Sequence, residues 1–212
     1  MDSDSAKTRF LTAIGHDMRQ PLHALLLYLS ALERRVQDGE ARDILNKADR
    51  AAQSLAGMLE GLIQLARLDA GKVEPEFARV SLKRLFEDVI ASAPHAAADT
   101  TDLYVHSDPV LLETIMQQLV ANAGKHGGGS AHLSAEEKDD AVEIEVRDSG
   151  PGISPEDQER IFAEFVHLNG SDGGLGVGLT IANKLAALMN HKIEVRSAPG
   201  QGATFIVRAK RA

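Results

Sequence analysis

Phe10-Leu11-Thr12-Ala13-Ile14-Gly15-His16-Asp17-Met18-Arg19-Gln20-Pro21-Leu22 is the stretch on which the fold turns. Its apolar residues return every three or four positions, and the seam runs on through Leu25, Leu29, Leu32 and Val36. That spacing predicts one long helix with a heptad-like stripe. Asp38-Gly39 breaks the pattern as a turn pair does. A second stripe follows in Ile44, Ala48, Ala51, Leu55, Met58, Leu62, Leu65 and Leu68, with Gly71 as its stop. Two long helices joined by a short turn lie antiparallel. A lone hairpin leaves much of each stripe wet, and pairing two hairpins into a four-helix bundle buries it. The pattern therefore predicts a homodimer, with packing on the rest of the same chain as the alternative.

His16 falls between the seam positions Ile14 and Met18, about 200° from each at 100° per residue, so it faces outward. A satisfied core histidine is a poor reading there; position alone also fits a solvated surface histidine. Pro21 lacks an N–H and clashes with the carbonyl of Asp17, which predicts a kink one turn after His16. Asp17 is placed to accept from the imidazole Nδ1–H, which would leave Nε2 as a nucleophile.

Outward from this stretch, the chain has 212 residues, a formal charge of −8 and no cysteine. A disulfide framework and thiolate chemistry are excluded, and a broad basic footprint for nucleic acid is not expected. No apolar run approaches the roughly 18 residues of a membrane span, so direct membrane insertion is not expected either. Thirteen of the 18 glycines fall between Gly124 and Gly202. Such crowding indicates turns, or close approach of backbone to a ligand.

After a linker at Lys72–Ser81, Ser81 is read as the cap of an amphipathic helix, and Leu103–His106 as a short strand. Asp108-Pro109 reads as N-cap and N1 of a second helix, which buries Leu112, Ile115, Met116, Leu119 and Val120. Ala131–Ala135 and Val142–Asp148 read as a hairpin, Ser154-Pro155 as the start of a short helix, and Leu179–Met189 as another helix. Ile193–Ser197 and Thr204–Ala209 close the chain as paired strands. The sum is an α+β chain. A helical hairpin over residues 1–74 precedes an α/β sandwich over residues 75–212, whose mixed or antiparallel sheet is covered by helices on one face.

Gln118, Asn122 and Lys125 recur at i, i+4 and i+7, a polar stripe beside the buried seam; alone, such a stripe also fits a solvated face. Asp148-Ser149-Gly150-Pro151-Gly152-Ile153 follows a strand. Gly174-Leu175-Gly176-Val177-Gly178-Leu179 opens a helix, where free N–H groups suit phosphate. It is not a Walker loop, because no Gly-Lys-Ser/Thr ends it, and it matches G-x-G-x-x-G poorly.

Taken in order, these pieces resemble the catalytic core of a bacterial sensor histidine kinase. Phe10–Leu22 resembles the H box, Asn122-Ala123-Gly124-Lys125-His126 the N box and Asp148–Ile153 the G1 box. Ile161-Phe162-Ala163-Glu164-Phe165 resembles the F box, Gly174–Leu179 the G2 box, and Gly200-Gln201-Gly202-Ala203-Thr204-Phe205 the final turn and strand. The resemblance implies a dimerisation and phosphotransfer hairpin followed by a Bergerat-type ATP-binding domain. It implies His16 as phosphoacceptor, Asp17 as its activator and Asn122 as a ligand to Mg²⁺. Lys125 and His126 would contact the phosphates or ribose, and Asp148 the adenine amino group. Gly150, Gly152, Gly174, Gly176 and Gly178 would line the nucleotide pocket and its lid, with Thr204 near the adenine. Gln20, one turn after His16, would orient a water for hydrolysis of a phosphorylated partner. The implied partner is the receiver domain of a response regulator, and the implied location the cytoplasm, alone or as part of a membrane-tethered sensor.

Gln118 stands where the family often carries asparagine. The related gyrase-type ATPases have a glutamate in this region; an amide is no general base, which argues against an ATPase. The lid from Val166 to Gly173 and the segment Ser92–His106 are short, which keeps a scaffold with weak nucleotide binding as an alternative to the kinase.

Overall fold

The structure is a computed structural model that describes residues 18, 20–33, 36, 39–168 and 175–212. They fall into two compact units, one ending at Val73 and the other beginning at Glu74.

In the first unit, residues 20–33 form helix α1 and Gly39–Asp69 form α2. Residues 22–26 of α1 face residues 56–60 of α2 across a shallow groove. The inward residues include Leu22, Leu45, Ala52, Ile63, Leu65 and Ala66. The stripes read from sequence lie only partly on this inner face. Met18, Leu25, Leu32, Ile44 and Leu55 are exposed, Ile44 by 63%. The physical reason is geometric: a two-helix contact uses a narrow strip of each helix, and these helices are apolar over a wider arc. Helix α2 ends in a left-handed Gly71 (φ +61°), with Lys72 N–H donating to Arg67 O and Gly71 N–H to Leu68 O.

The second unit runs β1 (Ala78–Ser81), α3 (Leu82–Ser92), β2 (Ala96–Ala98), β3 (Tyr104–Ser107), α4 (Pro109–His126), β4 (Ala131–Lys138), β5 (Ala141–Arg147), a 3₁₀ turn (Arg160–Phe162), α5 (Gly178–Leu188), β6 (Lys192–Ser197) and β7 (Ala203–Lys210). Five strands form one mixed sheet in the order β2-β4-β5-β7-β6, parallel only at β2–β4, and β1 pairs antiparallel with β3 apart from it. The alternation in β5 sets the layers. Val142, Ile144 and Val146 are fully buried among the apolar faces of α4 and α5, where Leu112, Ile115, Met116, Leu119, Ile181 and Leu185 lie.

The opposite face of the sheet is charged, and Glu143 is its centre. Its carboxylate is buried, yet Lys138 Nζ lies 2.6 Å away and the guanidinium groups of Arg196 and Arg208 each 3.7 Å away. The hydrogen bond from Lys138 holds the Glu143 carboxyl below the usual range, outweighing the burial that opposes it.

Three expectations change. The linker is shorter than Lys72–Ser81, because Ala78–Ser81 is strand β1. The segment after Ser154 is turns and a single 3₁₀ turn rather than a helix, since Ile161 is the one buried residue of Ser154–Phe162. The stretch Ser92–His106 contains an extra strand, β2, made of three alanines. Alanine is a poor strand former, so composition gave no sign of it.

Candidate functional site

Helix α4 carries the polar stripe. Asp108 caps its start, Oδ1 accepting from Val110 N–H (2.8 Å) and Leu111 N–H (3.0 Å). One face buries Leu112, Ile115, Met116, Leu119, Val120 and Ala123. Gln118 and Asn122 are half-buried beside that face, and Lys125 and His126 are exposed in the last turn. Among the described residues neither the Asn122 amide nor Lys125 Nζ has a side-chain partner in the protein.

Strand β5 delivers Asp148 one residue past its end. Asp148 N–H donates to Ala203 O (2.9 Å), while Oδ1 accepts from Gly150 N–H (2.9 Å) and Ala203 N–H (3.1 Å). Both bonds fall on one oxygen. Oδ2 has no partner among the described residues and is free to accept from a ligand. The Asp148 side chain lies flat on Gly127: a Cβ there would stand 2.6 Å from Asp148 Cγ. Gly150 in turn packs on Gly127, 2.6 Å from its Cα by the same measure. Gly152 has φ +76° and touches the carbonyl of Ala198. These glycines let three backbone segments close on one aspartate.

The loop after β5 is laced to the β6–β7 turn. Ser197 Oγ donates to Gly202 O (2.6 Å) and accepts from Ile153 N–H (2.8 Å), and Gln158 Nε2 donates to Ser197 O (2.9 Å). Ser197, Gln158 and Gly127 are supports that sequence reading missed. Gly127 stood in the visible run Gly127-Gly128-Gly129, but nothing in sequence tied it to Asp148.

The glycine-rich start of α5 closes the region. Gly176 has φ +69°, and its carbonyl accepts from Phe165 N–H (3.1 Å). Val177 is the N-cap and supplies no side-chain bond, so the first N–H groups of α5 lack a capping partner. Gln118 Oε1 stands 2.7 Å from where a Gly178 Cβ would lie, which brings α4 and the start of α5 together. Thr204 is half-buried on β7, opposite Arg147 and next to Ala203, the backbone partner of Asp148. Gln20 is exposed at the start of the described part of α1. His16, Asp17 and Gly174 lie outside the described residues.

The donor set suits a nucleotide better than a protein-caged metal. No group of three His, Asp or Glu able to hold a metal occurs among the described residues. An unpartnered Asn122 amide oxygen fits Mg²⁺ that keeps waters and phosphate oxygens as its other ligands. No described helix is long and apolar enough to cross a membrane.

Residues 107–212 match the family model described as Histidine kinase-, DNA gyrase B-, and HSP90-like ATPase, and residues 6–71 match that of the His Kinase A (phospho-acceptor) domain. The chain belongs to the histidine kinase family. It is 32% identical over 219 residues to the Sensor-like histidine kinase SenX3 of Mycobacterium tuberculosis, covering 95% of this chain and 53% of the relative. It is 29% identical to the Signal transduction histidine-protein kinase BarA of Escherichia coli, covering 94% of this chain and 24% of that protein. The chain thus spans about half or less of the curated relatives it matches. Among solved structures, full-length ShkA in complex with AMPPNP superposes with a TM-score of 0.77 at 28% identity, over 96% of this chain and 46% of that one. The catalytic domain of the histidine kinase ThkA superposes with a TM-score of 0.56 at 26% identity, over 64% of this chain and 96% of that one. The family match bears out the expected α+β architecture of helical region followed by ATPase-type sandwich.

Proposed function

We propose that the chain is an ATP-dependent protein-histidine kinase that phosphorylates His16 and passes the phosphoryl group to an aspartate on the receiver domain of a response regulator. The observation that carries the reading is Asp148. One carboxylate oxygen is consumed by the backbone and the other is left open, beside glycines that pack directly on the aspartate. In this reading the open oxygen accepts from the adenine amino group, and Thr204 lies near that end of the base. Asn122 holds Mg²⁺, while Lys125, His126 and the N–H groups at Gly174, Gly176 and Gly178 meet the phosphates. Gly150 and Gly152 shape the loop that carries the base.

Asp17 would accept from the Nδ1–H of His16, leaving Nε2 to attack the γ-phosphorus. The bond from the γ-phosphorus to the bridging oxygen breaks, and ADP leaves with that electron pair. The bound metal supplies charge neutralisation of the triphosphate; the protein supplies position. The exposed Leu25, Leu32, Ile44 and Leu55 support a homodimer through the hairpin, which would bury them. Gln20 would position water for regulator dephosphorylation, and the setting would be the cytoplasm.

The test is incubation with γ-labelled ATP and Mg²⁺ of the wild type, His16→Ala and Asn122→Ala. Acid-labile, base-stable label in the wild type and none in either variant is expected. Label that persists in His16→Ala would overturn the phosphoacceptor, and phosphate release without any protein label would favour an ATPase.

A further inference from the structure

The chain between the two units is not a free tether up to the first strand. Strand β1 pairs with β3 in the register Ala78↔Ser107, and Leu82 N–H donates to Leu103 O, so hydrogen-bonded pairs recur at Val80↔Val105 and Ala78↔Ser107. The next such position would face Glu76 with Pro109. There the chain has already turned into α4, so the ladder should stop. It continues by one bond instead. Glu76 N–H donates to Asp108 Oδ2 at 2.7 Å, in a partly buried setting. The other oxygen of the same carboxylate caps α4. The Phe77 ring stacks on His106 at 5.3 Å between centroids, and the Arg79 guanidinium lies over the Tyr104 ring at 3.7 Å. Glu76, Phe77 and Arg79 are thus fastened one after another along β3, ending on the residue that starts the helix carrying Asn122.

We infer that Asp108 is a positioning residue that latches the inter-unit linker, through Glu76 N–H, to the N-terminus of α4. Whatever pivot the linker provides is confined to the residues between Gly71 and Pro75, and the pull of the linker is delivered to the helix of Asn122 and Lys125. This rests on the kinase reading for its consequence, since the latch acts on the helix that carries Asn122, while the latch itself stands on hydrogen-bond geometry alone.

Two substitutions cut the same bond from opposite sides. Asp108→Asn keeps one oxygen to cap α4, and asparagine caps as well as aspartate, but its NH₂ cannot accept from Glu76. Glu76→Pro removes the N–H and leaves Asp108 intact. In the full chain, each is expected to speed hydrogen exchange at the ladder amides of Ala78 and Val80 at least tenfold and leave the α4 amides Leu112–Ala123 unchanged. Each should lower kcat for His16 labelling about fivefold, with the KM for ATP unchanged within twofold. The double variant should match the single ones, because one bond is lost in all three. Wild-type kcat in both variants, a KM that rises with the fall in kcat, or additive effects would overturn the inference. If the wild type places no label on His16, the kinase reading fails separately. Exchange then decides the latch, and unchanged protection of Ala78 and Val80 in Glu76→Pro overturns it.

Discussion

At the scale of single residues, the two oxygens of Asp148 have different duties, and that difference is testable. Asp148→Asn keeps an oxygen toward Gly150 N–H and Ala203 N–H, and places a donor where the open acceptor stood. Nucleotide affinity is expected to fall at least about tenfold, the size of one lost charged hydrogen bond, while the melting temperature stays within about 2 °C. Isothermal titration with ATP and Mg²⁺ beside a thermal melt separates the two effects. Gly152 is the structural counterpart. Its φ of +76° and its contact with the Ala198 carbonyl leave no room for a side chain. Gly152→Ala is expected to lower stability by about 2 kcal/mol or more in chemical denaturation. Gly178 behaves differently, because among the described residues its only close neighbour is the flexible end of Gln118. Gly178→Ala should be tolerated by the fold.

At the scale of elements, the turn between α5 and β6 places a histidine inside the molecule. His191 is buried, and its Nε2 lies 2.8 Å from Ser107 Oγ at the end of β3. Burial first, and the nearby His106 as well, hold its imidazole below the usual histidine value, against a raising hydrogen bond to Asn190. The unfolded chain therefore binds more protons between the folded value and about 6.5, so stability rises with pH through that window and is lost as pH falls below about 6.5. Melting temperatures from pH 7.5 to 5 should drop more steeply for the wild type than for His191→Gln; parallel curves would remove His191 as the cause. The elements also mark what sequence can tell. Helix α4 was legible because Asp108-Pro109 states its start and its apolar residues keep a helical period. Strand β5 was legible because Val142, Ile144 and Val146 alternate with charges. Strand β2 was not, since Ala96–Ala98 takes its conformation from pairing with β4 rather than from propensity. The polar stripe on α4 was visible, but its relation to Gly178 and the open oxygen of Asp148 exist only after three distant loops converge.

At the scale of the whole molecule, charge and solubility set the terms. Residues 75–212 carry 13 basic and 20 acidic side chains. Such a field repels a triphosphate, so in the proposed kinase local groups and a divalent cation would have to overcome it. Excess chelator is expected to weaken ATP binding at least about tenfold by the same titration, and undiminished binding would contradict the assignment of Asn122. The sheet has a further consequence in solution. A dimer would tether two copies of it at an effective concentration on the order of millimolar, where two open sheet edges readily join. Both edges are unsuited to it: β2 is three residues long, and β6 places Lys192, Glu194 and Arg196 along its outer face. A short strand offers too little ladder to recruit a neighbour, and a charged one resists burial. The same charges that line the sheet face opposite α4 and α5 would thus keep two such copies from annealing into a single continuous sheet.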